Sequence, residues 1–160
     1  MNGAKTFHVD SQWMTGDFDS KYLVEMQIDF HELKRSMQSL SGVLMLVQFK
    51  TMTEATQLLT VLKETGNWLA ETLEHLSQVS HRGRLEDFRR VCVNVCMNLQ
   101  SVHRELVEWV QQKSMAAKHQ AIHKLLMRLQ YAHQQLRRAA SFSPAFEMVS
   151  LNTSCACAHQ

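Results

Sequence analysis

Residues 23–47 constrain the fold of this chain more than any other stretch of its sequence. Apolar side chains recur there at alternating intervals of three and four residues without an interruption, and charged and amide side chains lie between them. This heptad pattern is typical of a helix that packs against other helices along its whole length. The eight apolar positions are Leu23, Met26, Phe30, Leu33, Met37, Leu40, Leu44 and Val47.

The pattern predicts a first helix over residues 20–50 and a second over 53–79. A capping-box spacing at Thr51 and Glu54 marks the break between them. The apolar face of the second helix contains five leucines, and Gly66 with Asn67 forms a predicted weak point midway. These leucines are Leu58, Leu62, Leu69, Leu73 and Leu76.

Two more helices follow the turn at residues 80–83, where Gly83 suits a left-handed C-cap. Ser114 is the predicted N-cap of the fourth helix. The seam of the third helix is Leu85, Phe88, Cys92, Val95, Leu99, Val102, Leu106 and Trp109. The seam of the fourth is Ile122, Leu125, Leu129, Ala132, Leu136 and Ala139.

The composition agrees with an all-α chain, since 160 residues contain only five glycines and one proline. Short connections favour antiparallel neighbours. We therefore predict one bundle of four long antiparallel helices over residues 20–140, in up-down-up-down order with coiled-coil-like packing. Residues 1–19 are predicted to be a flexible arm and 141–160 a flexible tail. In the competing architecture, helices one and two continue through Thr51 and form a coiled-coil dimer.

The sequence lacks the motifs of the commoner enzymes, such as GxSxG, GxxxxGK[ST], GxGxxG and HExxH. His119 and His123 are one helical turn apart, but a metal site needs further ligands, and no carboxylate occurs between Trp109 and Glu147. We predict no catalytic residue, no cofactor and no metal site. Cys92 and Cys96 are interpreted as structural cysteines.

Charge is unevenly distributed along the chain. Residues 1–80 carry six Lys or Arg against ten Asp or Glu, and residues 81–160 carry eleven against five. The fourth helix has a basic stripe that is a candidate interaction surface for an acidic protein, a phosphoinositide or an RNA backbone. The alternative is pairing with Glu25, Asp29 and Glu32 of the first helix. The stripe consists of Lys124, Arg128, Tyr131, Gln135 and Arg138.

Trp68 has two interpretations. Tryptophan is enriched among the residues that dominate protein–protein interfaces, so Trp68 is a candidate anchor for a partner. The burial tendency of tryptophan favours a place in the core instead.

The last four residues, Cys157, Ala158, His159 and Gln160, resemble a CaaX prenylation box. The resemblance implies farnesyl transfer to the Cys157 thiolate, because glutamine is the final residue. His159 departs from the aliphatic residue usual at its position. Cys155 is a candidate for palmitoylation, as in doubly lipidated small GTPases.

Two serines near the end of the fourth helix are candidate phosphorylation sites. Ser141 follows Arg138 at the spacing of basophilic kinases, and Ser143 precedes Pro144, as proline-directed kinases require. No apolar segment follows the N-terminus, which indicates an intracellular protein. We expect a cytoplasmic location, with membrane association and a nuclear location left open.

These observations predict a non-catalytic intracellular helical-bundle interaction protein, either an adaptor or a subunit of a larger assembly. The expected partners are proteins of unknown identity, with a membrane surface and homo- or hetero-oligomers as further options, while nucleic acid is disfavoured. The alternative is a small membrane-associated regulator that a lipidated CaaX-like C-terminus tethers.

Overall fold

The computed structural model describes residues 17–48, 55–78, 83–112 and 118–141. These ranges contain four α-helices and no strand, so the predicted all-α class and helix number are confirmed for the described part of the chain. The helices are α1 (Asp17–Gln48), α2 (Ala55–Gln78), α3 (Arg84–Gln112) and α4 (Lys118–Ala140).

The helix ends differ from prediction by a few residues. α1 begins at Asp17, inside the predicted arm, because the apolar seam starts at Leu23 and does not specify the first turn. The predicted caps at Thr51 and Ser114 lie outside the described residues, as does most of the predicted arm and tail.

One apolar core receives side chains from all four helices. The seam residues of α1, α3 and α4 are buried, except for the half-buried Leu23, Val47, Leu85 and Trp109 at the ends of the seams in α1 and α3. The rings of Phe30 and Phe88 lie 6.1 Å apart between centroids and join α1 to α3 within this core. The 3-4 spacing therefore located most of the core positions, while Val43, Cys96 and Val110 are also buried and lie outside the predicted seams.

The buried face of α2 differs from the predicted row of leucines. Thr65 and Thr72 are buried, whereas Leu73 is half-buried. The Thr65 hydroxyl donates a hydrogen bond to the Val61 carbonyl at 2.8 Å and lies 2.7 Å from the Ser39 hydroxyl, which satisfies it inside the bundle. Thr65 and Thr72 therefore occupy positions on the buried face of α2 where no leucine occurs, and the Thr65 hydroxyl has hydrogen-bond partners there.

Gly66 is a point of close packing and not a break in α2. A Cβ atom at Gly66 would lie 2.9 Å from Cε1 and Nε2 of the His103 ring. The His103 Nε2–H donates to the Leu62 carbonyl at 2.7 Å, since a carbonyl only accepts. The missing side chain of Gly66 lets α3 place this imidazole against the α2 backbone.

α1 and α2 are separate helices that contact each other. Asp29 lies 2.8 Å from His75, and Ser39 bonds to Thr65. A continuous helix would hold residues 29 and 75 about 70 Å apart. These contacts exclude a single straight helix through Thr51. α1 and α3 each contact the other three helices, and α4 packs against α1 and α3.

Gly83 has a φ of 64°, the left-handed conformation predicted for it. Its carbonyl accepts hydrogen bonds from the Glu86 and Asp87 amides at 3.1 and 3.3 Å, so Gly83 caps the start of α3, immediately before Arg84, and is not the C-terminal cap predicted from the sequence. No other atom lies within 4 Å of a Cβ built there. Glycine is therefore favoured here by the backbone conformation and not by crowding.

Candidate interaction surfaces

A groove of about 400 Å³ lies between α1 and α2. Its walls carry the carboxylates of Glu25, Asp29, Glu32 and Glu71. From the sequence, Glu25, Asp29 and Glu32 of the first helix were considered only as pairing partners of the basic stripe on the fourth helix. In the structure these acids lie beside α2 instead. The groove that they line was not predicted from the sequence.

The side of the groove near His75 contains an ionisable pair in which Asp29 is buried and His75 is partly exposed. The Asp29 side chain is only 7% exposed, and the His75 Nδ1–H donates to its Oδ2 at 2.8 Å. Burial raises the pKa of the Asp29 carboxyl above its ordinary value, while the hydrogen bond and the charge of His75 oppose that increase. The pair joins α1 to α2 and positions the imidazole along the groove.

Trp68 lies in the groove and outside the apolar core, so the core interpretation favoured from the sequence is wrong. Its side chain is half-buried, and the Arg35 guanidinium carbon lies 3.8 Å from the ring centroid. This distance is typical of a cation–π contact. Ile28, which is 58% exposed, adds apolar surface to the same groove. The groove thus combines negative charge with apolar contact area.

The basic stripe of α4 is not a uniform surface. Arg128 is half-buried, and its Nη1 donates to Glu105 and Ser101 of α3. The Asn98 amide also donates to the Arg128 carbonyl at 3.0 Å. Arg128 therefore belongs to the α3–α4 contact, and its acidic partner is on α3 and not on α1. Gln135, like Arg128, is half-buried.

The remaining stripe residues lie on the outside of α4. Lys124, Tyr131 and Arg138 are exposed, and Met127 occupies the exposed position between the first two. Tyr131 is 55% and Met127 53% exposed. We refer to Lys124, Met127, Tyr131 and Arg138 as the outer α4 face. Met127 was not among the residues predicted for this surface, although its spacing of three from Lys124 and four from Tyr131 could have indicated it.

Arg137, Arg138, Gln134 and Ser141 line a depression of about 370 Å³ at the end of α4. Ser141 is exposed, and its hydroxyl donates to the Arg138 carbonyl at 2.6 Å. This candidate phosphorylation site is therefore on the surface beside two cations. Ser143, Cys155 and Cys157 lie outside the described residues, so their predicted modifications stay predictions.

The thiols and histidines singled out in the sequence do not converge. Cys92 and Cys96 are buried, and the Cys96 thiol donates to the Leu69 carbonyl at 3.2 Å. Burial raises the pKa of both thiols, that of Cys96 to about 12. His123 is exposed, and the side chain of His119 is not described. Among the described residues, no three His, Cys, Asp or Glu side chains are grouped to hold a metal ion.

A search for related proteins found no matching family, no matching curated protein and no matching solved structure. Within the described ranges, no helix combines the length and the apolar character that crossing a bilayer requires. The α1–α2 groove and the outer α4 face are the two candidate interaction surfaces of the described residues.

Proposed function

We propose that this protein is a non-catalytic interaction protein, an adaptor or a subunit of a larger assembly, that binds a positively charged segment of a partner protein. The observation that carries the proposal is the α1–α2 groove, in which the carboxylates of Glu25, Glu32 and Glu71 line the same cavity as the exposed Ile28 and the half-buried Trp68. Helical bundles commonly bind partner segments in grooves between their helices, where apolar contacts supply affinity.

The charges of the groove favour a basic partner. Apart from His75, its lining contains one cationic side chain, Arg35, whose guanidinium stacks on Trp68 and lies 4.0 Å from the Glu32 carboxylate. Acidic groups around an apolar centre attract a cationic partner and accelerate its association, since opposite potentials steer the encounter. A lysine or arginine of the partner would reach Glu25 and Glu71 while its neighbouring apolar side chain contacts Ile28.

The groove chemistry supports binding more than catalysis. Asp29 and His75 hydrogen-bond to each other, and Asp29 is nearly inaccessible to a ligand. The nearby thiols have pKa values raised by burial, so the thiolate nucleophile is disfavoured. The Asp29–His75 pair is therefore better suited to forming one side of a binding groove than to catalysis.

We also infer that the helices alternate up and down with coiled-coil-like packing. Along α1 and α2, the contact moves from Asp29–His75 to Ser39–Thr65. The residue number in α1 rises by ten while the residue number in α2 falls by ten, as expected for antiparallel helices. Between α2 and α3, the contacts of Leu76 with Arg89 and of Leu62 with His103 follow the same rule. The continuous 3-4 spacing of the seams supports knobs-into-holes packing.

We propose the cytoplasm as the place where this interaction occurs. A nuclear location is compatible with the same function. The membrane-associated regulator of the sequence analysis is kept as a separate prediction, which depends on the modification of Cys157.

Affinity purification with quantitative mass spectrometry tests the proposed groove. The full-length wild type is compared with a Glu25→Lys/Glu71→Lys variant and with a matched Glu64→Lys/Glu108→Lys control, whose acids are exposed outside the groove. We expect at least one protein partner to be lost only with the groove variant. Circular dichroism verifies that all three proteins fold. Identical partner sets for folded wild type and groove variant would contradict the proposal.

A further inference from the structure

We propose that the outer α4 face is a peripheral membrane-binding surface for bilayers that contain anionic lipids. This inference is independent of the α1–α2 groove. The surface combines two cations, Lys124 and Arg138, with Met127 and Tyr131 on one outward row of the helix. Helices that bind at the headgroup region combine cations that attract anionic lipids with apolar side chains that enter the interface, and this face presents both kinds of side chain to the outside.

Charge complementarity is the first argument for an anionic occupant. α4 contains no acidic residue from Lys118 to Ala140, and the bundle uses Glu105 to neutralise Arg128. Lys124, Arg137 and Arg138 are exposed, and none of them forms an ion pair with a described residue. The positive charge of α4 is therefore displayed on its outside, where a negatively charged surface can approach it.

The shape and composition of the surface favour a bilayer over an acidic protein. The outer α4 face is the exposed side of a single helix, which a flat surface can cover without a complementary partner groove. Met127 and Tyr131 are each more than half exposed, and a headgroup layer accommodates both of these side chains. Lysine and arginine can extend their charged ends to phosphates while their methylene stems contact apolar material.

The packing of the bundle leaves the groove accessible in this orientation. α4 packs against α1 and α3, whereas the groove lies between α1 and α2. A bilayer on the outer side of α4 would therefore contact a different side of the bundle. The protein could hold a partner segment in the groove while α4 rests on the membrane.

Weak, reversible membrane binding by the outer α4 face would add to the membrane affinity that a lipid at Cys157 provides. A single prenyl chain gives only marginal binding, and stable anchoring needs a second signal. The outer α4 face would supply that signal. The proposal itself concerns the unlipidated protein and does not depend on modification of the tail.

Vesicle co-sedimentation of the full-length Cys157→Ser protein tests the proposal without a lipid at Cys157. The vesicles are phosphatidylcholine alone or phosphatidylcholine mixed with phosphatidylserine. We expect binding only to the phosphatidylserine vesicles, and weaker binding as salt rises from about 0.1 M to about 0.5 M, because the Debye length shortens. No binding to either vesicle, or equal binding to both, would overturn the proposal.

Two double variants locate the surface. Lys124→Gln/Arg138→Gln removes two cations from the outer α4 face, and Lys63→Gln/Arg104→Gln removes two exposed cations from α2 and α3. Each cation near an anionic bilayer changes partitioning roughly fivefold, so we expect roughly a thirtyfold loss for the first variant and a much smaller loss for the second. Equal losses would show that only net charge matters and would overturn the assignment to α4.

A third variant and a soluble probe distinguish a membrane from an acidic protein. Met127→Ala/Tyr131→Ala leaves every charge in place, and we expect it to weaken vesicle binding because the apolar contacts enter the headgroup region. Polyglutamate is the soluble acidic probe. Binding to polyglutamate without binding to vesicles, or vesicle binding that the apolar variant leaves unchanged, would overturn the membrane proposal. Circular dichroism confirms the fold of each variant.

Discussion

A matched pair of glycine substitutions would test how closely α2 and α3 approach. Gly42 lies on the exposed side of α1, and a Cβ atom there would have no neighbour within 4 Å. Glycine is less favourable than alanine in a helix interior by about 1 kcal/mol. Gly42→Ala should therefore raise the free energy of unfolding by roughly 0.5–1 kcal/mol.

The same substitution at Gly66 should have the opposite sign. Its Cβ would lie 2.9 Å from two atoms of the His103 ring, closer than packed atoms tolerate. The ring must move, which strains the 2.7 Å hydrogen bond to the Leu62 carbonyl. Overpacking of this kind costs about 1–3 kcal/mol, which exceeds the helical gain of about 1 kcal/mol. We expect Gly66→Ala to destabilise the protein by about 1 kcal/mol, so that the two variants differ by about 2 kcal/mol.

Urea denaturation followed by circular dichroism measures both free energies of unfolding. A His103→Ala background supplies the control, because removing the ring should turn Gly66→Ala into a stabilising change. Such a sign reversal is the coupling that a double-mutant cycle isolates. If Gly66→Ala stabilises the wild type as much as Gly42→Ala does, the close approach of His103 to α2 is wrong.

Three further predictions concern the core, the Asp29–His75 pair and the C-terminal tail. Leu33→Ala and Leu99→Ala should each lower the free energy of unfolding by about 2–5 kcal/mol, because both side chains are fully buried; full tolerance in urea denaturation would contradict this. Because burial raises the pKa of Asp29 above 3.8, the folded state holds its proton more tightly, and the stability of the wild type relative to Asp29→Asn should be greatest below pH 3.8 and fall as pH rises through the raised pKa of Asp29. Urea titrations at several pH values measure this trend, and a difference that grows with pH would refute it. Cys157 should carry a farnesyl group in eukaryotic cells, and intact-mass spectrometry that finds only the free thiol, with a membrane fraction unchanged by Cys157→Ser, would reject the CaaX resemblance.

The core was predictable from the sequence because burial follows a local rule. A residue such as Leu33 or Leu99 lies on the inner side of its helix wherever the 3-4 spacing continues, whichever helix is its neighbour. The four helices and most of their buried positions could therefore be assigned from spacing alone. The buried Thr65 escaped this rule because its burial depends on a partner, Ser39, that belongs to another helix.

The functional surfaces depend on contacts between residues far apart in the sequence. Asp29 and His75 are 46 positions apart, and Arg128 and Glu105 are 23 apart. The pairing of acids with bases depends on which sides of two helices face each other and on the register between those helices. The spacing of residues within one helix contains neither kind of information. The sequence therefore determined the four helices and their apolar faces. Only the tertiary structure shows that the acids of α1 lie beside α2, that Arg128 is half-buried against α3, and that Lys124 and Arg138 lie on the outside of α4.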